Sequence, residues 1–326
     1  MDWKKYNPPE EVCRILSANK NVTIISSTDE LTELAVGGRN CDSYEVTYDV
    51  PGFGRVVEAT VARVRNGISA NYTTPYMRRR DPDALVVGDN NPSNKETFAQ
   101  RFGYDFAILR EKTFEWMKKT PLIMYGFISG KEGMGVDSLV LAPANAGFFA
   151  FGLALLQGII PYDEIPKHFN PKAVIYVAPP FRYTDLGGKQ VVVHNRLEET
   201  YEIFSYNLYP GPSAKKGVYG ILIDLGEKEG WVTAHCATAQ VITPYDNVVT
   251  IMHEGASGAG KSEMLEQSHR EPDGRLMLGK NIITGEERFL SIPRSCEIRP
   301  VCDDMAICHP SQKVEPGKLT VTDAED

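Results

Sequence analysis

Apolar positions along this chain fall into short runs separated by Gly, Pro, Asn and Asp, and the spacing within each run predicts its conformation. Residues 10–19 predict a short helix. Over residues 41–65 apolar and polar residues alternate, broken by Pro51-Gly52-Phe53-Gly54, which reads as two strands around a turn. Residues 95–119 are partly helical in pattern and 121–129 strand-like. The apolar stretch over 139–160 is interrupted by Pro143, Asn145, Gly147, Gly152, Gln157 and Gly158. Its continuous part, 146–156, is shorter than the roughly 20 residues a membrane span needs, so a buried helix over 146–157 is expected. Residues 173–178 predict a strand closed by Pro179-Pro180, 191–193 another, and Asn195 is expected to open a helix rich in Glu and aromatics. Further on, 218–225, 231–242 and 248–252 read as strands, with a turn at Pro244-Tyr245-Asp246-Asn247, and 297–301 is strand-like. The tail over 314–326 is polar and is expected to fray. Strands and helices mix without a regular βαβ rhythm, which predicts an α/β fold with mixed sheets rather than a doubly wound parallel one.

With 326 residues and 42% hydrophobic content the chain can bury a sizeable core, and length suggests about two domains. Net charge is −8 and the pI is near 5.4, with no long basic stretch, which argues against nucleic-acid binding and for small anions met at local basic spots. None of the six cysteines has C-x-x-C spacing, so a structural zinc site is not expected; Cys302 and Cys308, six apart, say little. The start lacks an apolar signal-peptide core. Reduced thiols in a cytoplasmic protein, with no membrane partner, are the expectation.

The strand over 248–252 runs straight into Gly255-Ala256-Ser257-Gly258-Ala259-Gly260-Lys261-Ser262, which satisfies G-x-x-x-x-G-K-[ST] at every fixed position. Each part has a physical reason. Glycines let successive backbone N–H groups turn inward around phosphate oxygens. The Lys261 ammonium would reach the β- and γ-phosphates, and the Ser262 hydroxyl would ligate Mg²⁺. A helix over 261–267 is expected to point its positive end at the anion. The pattern therefore predicts a nucleoside triphosphate, ATP or GTP, with a divalent metal.

Three further segments accompany the loop: Ala214-Lys215-Lys216-Gly217, Ala234-His235-Cys236-Ala237 and Val301-Cys302-Asp303-Asp304. Taken singly they read as a solvated lysine pair, a core histidine and a turn. In this order around the loop they resemble phosphoenolpyruvate carboxykinase. The resemblance implies that Lys216, His235 and Asp304 ligate a second metal, typically Mn²⁺, and that Asp303 or Asp304 helps Ser262 hold the Mg²⁺. A lysine ligates only when neutral, so the metal must depress its pKa. A weaker match aligns Arg80, two residues before Pro82, with the family's arginine for the substrate carboxylate; by itself Arg78-Arg79-Arg80 also reads as a solvated basic turn.

The chain departs from that family in places. Asp304 lies 43 residues beyond Lys261, which implies an insertion over roughly 271–294; Ala237-Thr238 stands where the family usually has Ser-Ala; and the chain stops 22 residues after Asp304. The resemblance thus implies a carboxykinase-like N-terminal domain over 1–229 and an incomplete P-loop domain over 230–326. It implies phosphoryl transfer involving a small carboxylate such as oxaloacetate, with Lys261, Arg80 and Lys216 as the catalytic residues. The loop, extended to Glu263, also resembles that of HPr kinase/phosphorylase, which would make a protein serine the substrate. Nucleotide binding without catalysis is the third reading.

Overall fold

The computed structural model describes residues 1–75, 84–256, 258–265, 271–291, 296–312 and 315–325. The chain divides into two compact units, Met1–Leu225 and Gly226–Glu325. In the first unit the helices are α1 (Glu10–Ala18), α2 (Thr28–Ala35), α3 (Phe98–Phe102), α4 (Phe106–Met117), α5 (Gly147–Gln157), α6 (Phe181–Thr184) and α7 (Lys216–Glu229), the last running on into the second unit. Its strands are β1 (Val22–Ile24), β2 (Ser43–Val50), β3 (Gly54–Val64), β4 (Gly67–Tyr72), β5 (Leu85–Val87), β6 (Leu122–Ser129), β7 (Val136–Pro143), β8 (Ala173–Val177), β9 (Val192–Arg196) and β10 (Tyr201–Ser205).

Seven of these strands form one sheet in the order β1-β6-β7-β8-β10-β9-β5, while β2, β3 and β4 form an antiparallel meander. The large sheet is mixed: β1/β6, β7/β8, β8/β10 and β5/β9 are parallel, β6/β7 and β9/β10 antiparallel. The fold is thus mixed α/β, as the irregular alternation predicts. β8 and β10 bury every residue, so both sheet faces are covered. Their aromatics make the centre of the core: Tyr176 stacks on Phe204 with centroids 4.8 Å apart, and Phe114 and Phe106 close around them.

Several expectations hold. The hairpin over 41–65 is β2/β3, and the apolar run at 146–157 is α5, mostly buried. Among the described residues no helix is long and apolar enough to cross a membrane.

Two expectations fail in this unit. Asn195 opens no helix; it lies in β9, and the chain turns back as β10. The misleading residue is Glu202, a carboxylate in a fully buried strand. It is held by Arg110 through two hydrogen bonds of 2.8 and 2.7 Å and by Asn195 Nδ2 at 2.7 Å. Residues 218–225 are helical, not a strand: Val218, Ile221 and Leu222 share one buried face of α7. Gly220 lets that helix approach closely, since a Cβ there would lie 2.7 Å from His194 Cε1.

The second unit holds β11 (Val232–Ala234), β12 (Cys236–Ile242), β13 (Val248–Glu254), β14 (Leu276–Lys280), β15 (Glu287–Leu290), β16 (Glu297–Cys302), β17 (Ala306–Cys308) and β18 (Thr322–Asp323). One antiparallel sheet runs β13-β12-β16, another β11-β17-β18, and β14/β15 is a separate hairpin. The stretch expected as one strand over 231–242 therefore breaks in two, because β11 pairs with β17 while β12 pairs with β13 and β16. The tail is not frayed throughout: β18 pairs with β17, Ala324 is buried, and its N–H reaches Met305 O at 2.8 Å.

Candidate functional site

β12 lies between β13 and β16, so the ends of all three strands meet at one edge. The register sets Cys236 opposite Glu254, the last residue of β13, and Thr238 opposite Cys302, the last residue of β16. Three chain segments leave that edge together. His235 sits at the break between β11 and β12, the glycine-rich loop follows β13, and Asp303-Asp304 links β16 to β17.

The loop turns back on itself. Gly258 and Gly260 take φ of 78° and 84°, in the left-handed region that side chains disfavour, and Ala259 N–H bonds to Ala256 O at 3.1 Å. From Lys261 (φ −61°, ψ −49°) the backbone winds helically, as a short 3₁₀ turn over Ser262–Met264 rather than the helix expected over 261–267; residues 266–270 lie outside the described residues. Ser257, within the motif, also lies outside them, as does Arg80.

The loop turns its lysine inward. Lys261 is only 7% exposed, and its Nζ lies 3.4 Å from Ala256 O and 3.8 Å from Asp304 Oδ1. The same Oδ1 meets His235 Nε2 at 2.7 Å. One buried carboxylate is thus shared by an ammonium and an imidazole drawn from 43 and 69 residues away in sequence. Burial strengthens each of these contacts and makes the carboxylate costly to leave unpartnered.

The other expected residues are placed differently. Asp303 is exposed, so of the acidic pair it is Asp304 that meets His235 and Lys261. Ser262 is also exposed. Lys216 opens α7 with its Nζ 5.0 Å from the Tyr219 ring centroid, a cation–π contact. Among the described residues no three His, Cys, Asp or Glu side chains gather closely enough to hold a metal ion. His235 and Asp304 offer one nitrogen and one oxygen, a donor pair that fits Mn²⁺ or Mg²⁺ when water or phosphate oxygens complete the shell.

A neighbouring feature escaped the sequence reading. Cys302 Sγ donates to the Cys236 carbonyl at 3.5 Å, and Cys236 Sγ lies 3.7 Å from Thr238 Oγ1. The neighbouring Cys302 side chain lowers the pKa of the Cys236 thiol, while the same pairing and burial raise that of Cys302. Cys302 and Cys308 were the pair close in sequence; the pair close in space is separated by 66 residues, and local spacing carries no signal for it.

The fold and the site define a mixed α/β chain whose glycine-rich loop delivers a buried lysine to a His–Asp pair. The chain belongs to the family described as Domain of unknown function (DUF4914), which matches residues 8–326. No curated protein matches the chain.

Proposed function

We propose that this protein binds a Mg-nucleoside triphosphate at residues 255–262 and transfers its γ-phosphoryl group in a carboxykinase-like reaction on a small carboxylate such as oxaloacetate. One observation carries the reading: Lys261, His235 and Asp304 converge at the end of one sheet. A glycine-rich loop alone is a motif; a loop whose lysine meets a carboxylate that also holds an imidazole supports the reading of a reaction site.

In this reading Lys261 exchanges its contacts with Asp304 and Ala256 O for the β- and γ-phosphates. A fixed ammonium there offsets charge on the transferring group. Release of Lys261 leaves Asp304 and His235 to hold a divalent ion, together with Lys216 as the resemblance implies. Ser262 and the acidic pair Asp303-Asp304 would serve the nucleotide's Mg²⁺. A bound divalent ion supplies Lewis-acid stabilisation of oxygen anions. Arg80 would hold the substrate carboxylate. Loss of CO₂ from the keto acid leaves an enolate, whose oxygen takes the γ-phosphoryl group as ADP departs.

Calorimetry with MgATP tests the first step. Lys261→Ala should lose affinity by roughly 100-fold, the scale of losing one buried charge-assisted contact, with an unchanged circular dichroism spectrum. Equal affinity in the two proteins would show the loop assignment to be wrong. His235→Ala should weaken Mn²⁺ binding and spare MgATP; unchanged Mn²⁺ affinity would remove the second metal from the scheme. Phosphate delivered to a protein serine, with no product from keto acids, would turn the reading towards an HPr kinase-like activity.

A further inference from the structure

Cys236 directly follows His235, and Cys302 stands two residues before Asp304. The two cysteines end neighbouring strands at the edge where the site lies. Both are buried, 0% and 1% exposed, in a small cluster with Ala306. Cys302 Sγ reaches across the strand pair to donate to the Cys236 backbone carbonyl at 3.5 Å, and the two side chains pack together in that cluster. A register shift at Thr238/Ala239 bends the strand pair at this point. Of the other four cysteines, Cys41 and Cys296 are exposed, Cys13 donates to Pro8 O, and Cys308, also buried, lies in β17 opposite Val232. No third protein ligand joins the two thiols to make a metal site among the described residues. The chemistry open to two neighbouring buried thiols is then their joint two-electron oxidation.

We propose that Cys236 and Cys302 are a thiol pair that hydrogen peroxide closes to a disulfide, and that closure weakens nucleotide binding by displacing Asp304. In the balanced step both S–H bonds and the peroxide O–O bond break and one S–S bond forms. The thiols are oxidised by two electrons, and the peroxide, reduced, leaves as two waters. A disulfide of about 2.0 Å must draw the ends of β12 and β16 together, because it replaces a non-bonded contact. His235 and Asp304 are one and two residues from the sulfurs that move, so their 2.7 Å contact is the nearest one to be disturbed. The effect on nucleotide rests on the reading above; the disulfide itself does not.

The test treats the full chain with hydrogen peroxide, blocks remaining thiols with N-ethylmaleimide and maps peptides by mass. The expected result is a Cys236–Cys302 linkage that dithiothreitol reverses. MgATP affinity should fall roughly tenfold on oxidation, within the ordinary range for coupled sites, and return on reduction. Cys302→Ser should keep the reduced protein's affinity and lose its response to peroxide, and Cys236→Ala, the second variant, should do the same. No linkage, or linkage of either sulfur to Cys308 instead, would overturn the pair. A mapped linkage with unchanged MgATP affinity would overturn its effect on the site. If reduced wild-type protein binds no MgATP, the nucleotide reading fails, and the mapped linkage alone decides the thiol pair.

Discussion

The seven-stranded sheet and the β13-β12-β16 sheet follow opposite rules of burial. In the first, β8 and β10 hide every side chain, and aromatics from α4 and β10 interlock at the centre. In the second, β13 exposes Val248, Val249, Ile251 and Met252, and among its described residues the buried ones are Cys236, Ala237, Thr238 and Ala239 of β12 and Cys302 of β16. Yet the buried Lys261–Asp304–His235 contact belongs to the second sheet. The difference teaches that the candidate site is assembled by connections at a sheet edge. The well-packed sheet contributes stability, and Glu202, buried in it, is paired with Arg110 and Asn195.

The largest break in that comparison should come from the core. Phe204→Ala removes the ring stacked on Tyr176 and should cost about 3–5 kcal/mol in urea unfolding. A loss below about 1 kcal/mol would mean that this sheet is not the tightly packed region described.

Acid probes the same sheet through one buried histidine. His194 Nδ1 pairs with the Tyr201 hydroxyl at 2.7 Å, while Nε2 is buried with no hydrogen-bond partner among the described residues. Burial, with a smaller contribution from Arg196, pushes its pKa down to about 4. The folded state therefore holds this proton less well than the unfolded chain, whose value is about 6.5. The stability it contributes is fully present above pH about 6.5 and falls as pH drops towards 4, by about 3 kcal/mol. His194→Gln should flatten that part of the pH dependence, read as the difference between urea midpoints at neutral and mildly acidic pH. Parallel curves for the two proteins would contradict the assignment.

The smallest effect is expected on the exposed strand. Ile251→Thr should shift stability by no more than about 0.5 kcal/mol, because its side chain is 39% exposed and threonine suits a strand. A cost above about 2 kcal/mol would show that this face is covered in solution.

Much of the fold was legible where pattern and burial agree. Pro51-Gly52-Phe53-Gly54 between alternating runs marks the β2/β3 turn, and the apolar run at 146–157 is α5. Legibility failed where tertiary contacts reverse a local preference. Glu202 looks helical until Arg110 and Asn195 neutralise it inside a strand. The branched residues of 218–225 look like a strand until Val218, Ile221 and Leu222 dock as one helical face. Of the candidate site, the glycine-rich loop was readable because its eight residues are contiguous. Of the acidic pair, the resemblance names Asp304 beside His235, and Asp304 is the buried one while Asp303 is exposed.

By itself, then, the sequence determined the elements that depend on neighbours in the chain: turns at Gly and Pro, the buried apolar runs, and a backbone at Gly258 and Gly260 free to take positive φ. Tertiary structure alone decided which distant residues share an atom. Asp304 Oδ1 receives both His235 and Lys261, and Cys302 meets Cys236, because β12 pairs with β13 on one side and β16 on the other. The physical reason is that strand pairing acts between segments tens of residues apart, so the neighbours it creates leave no trace in local spacing.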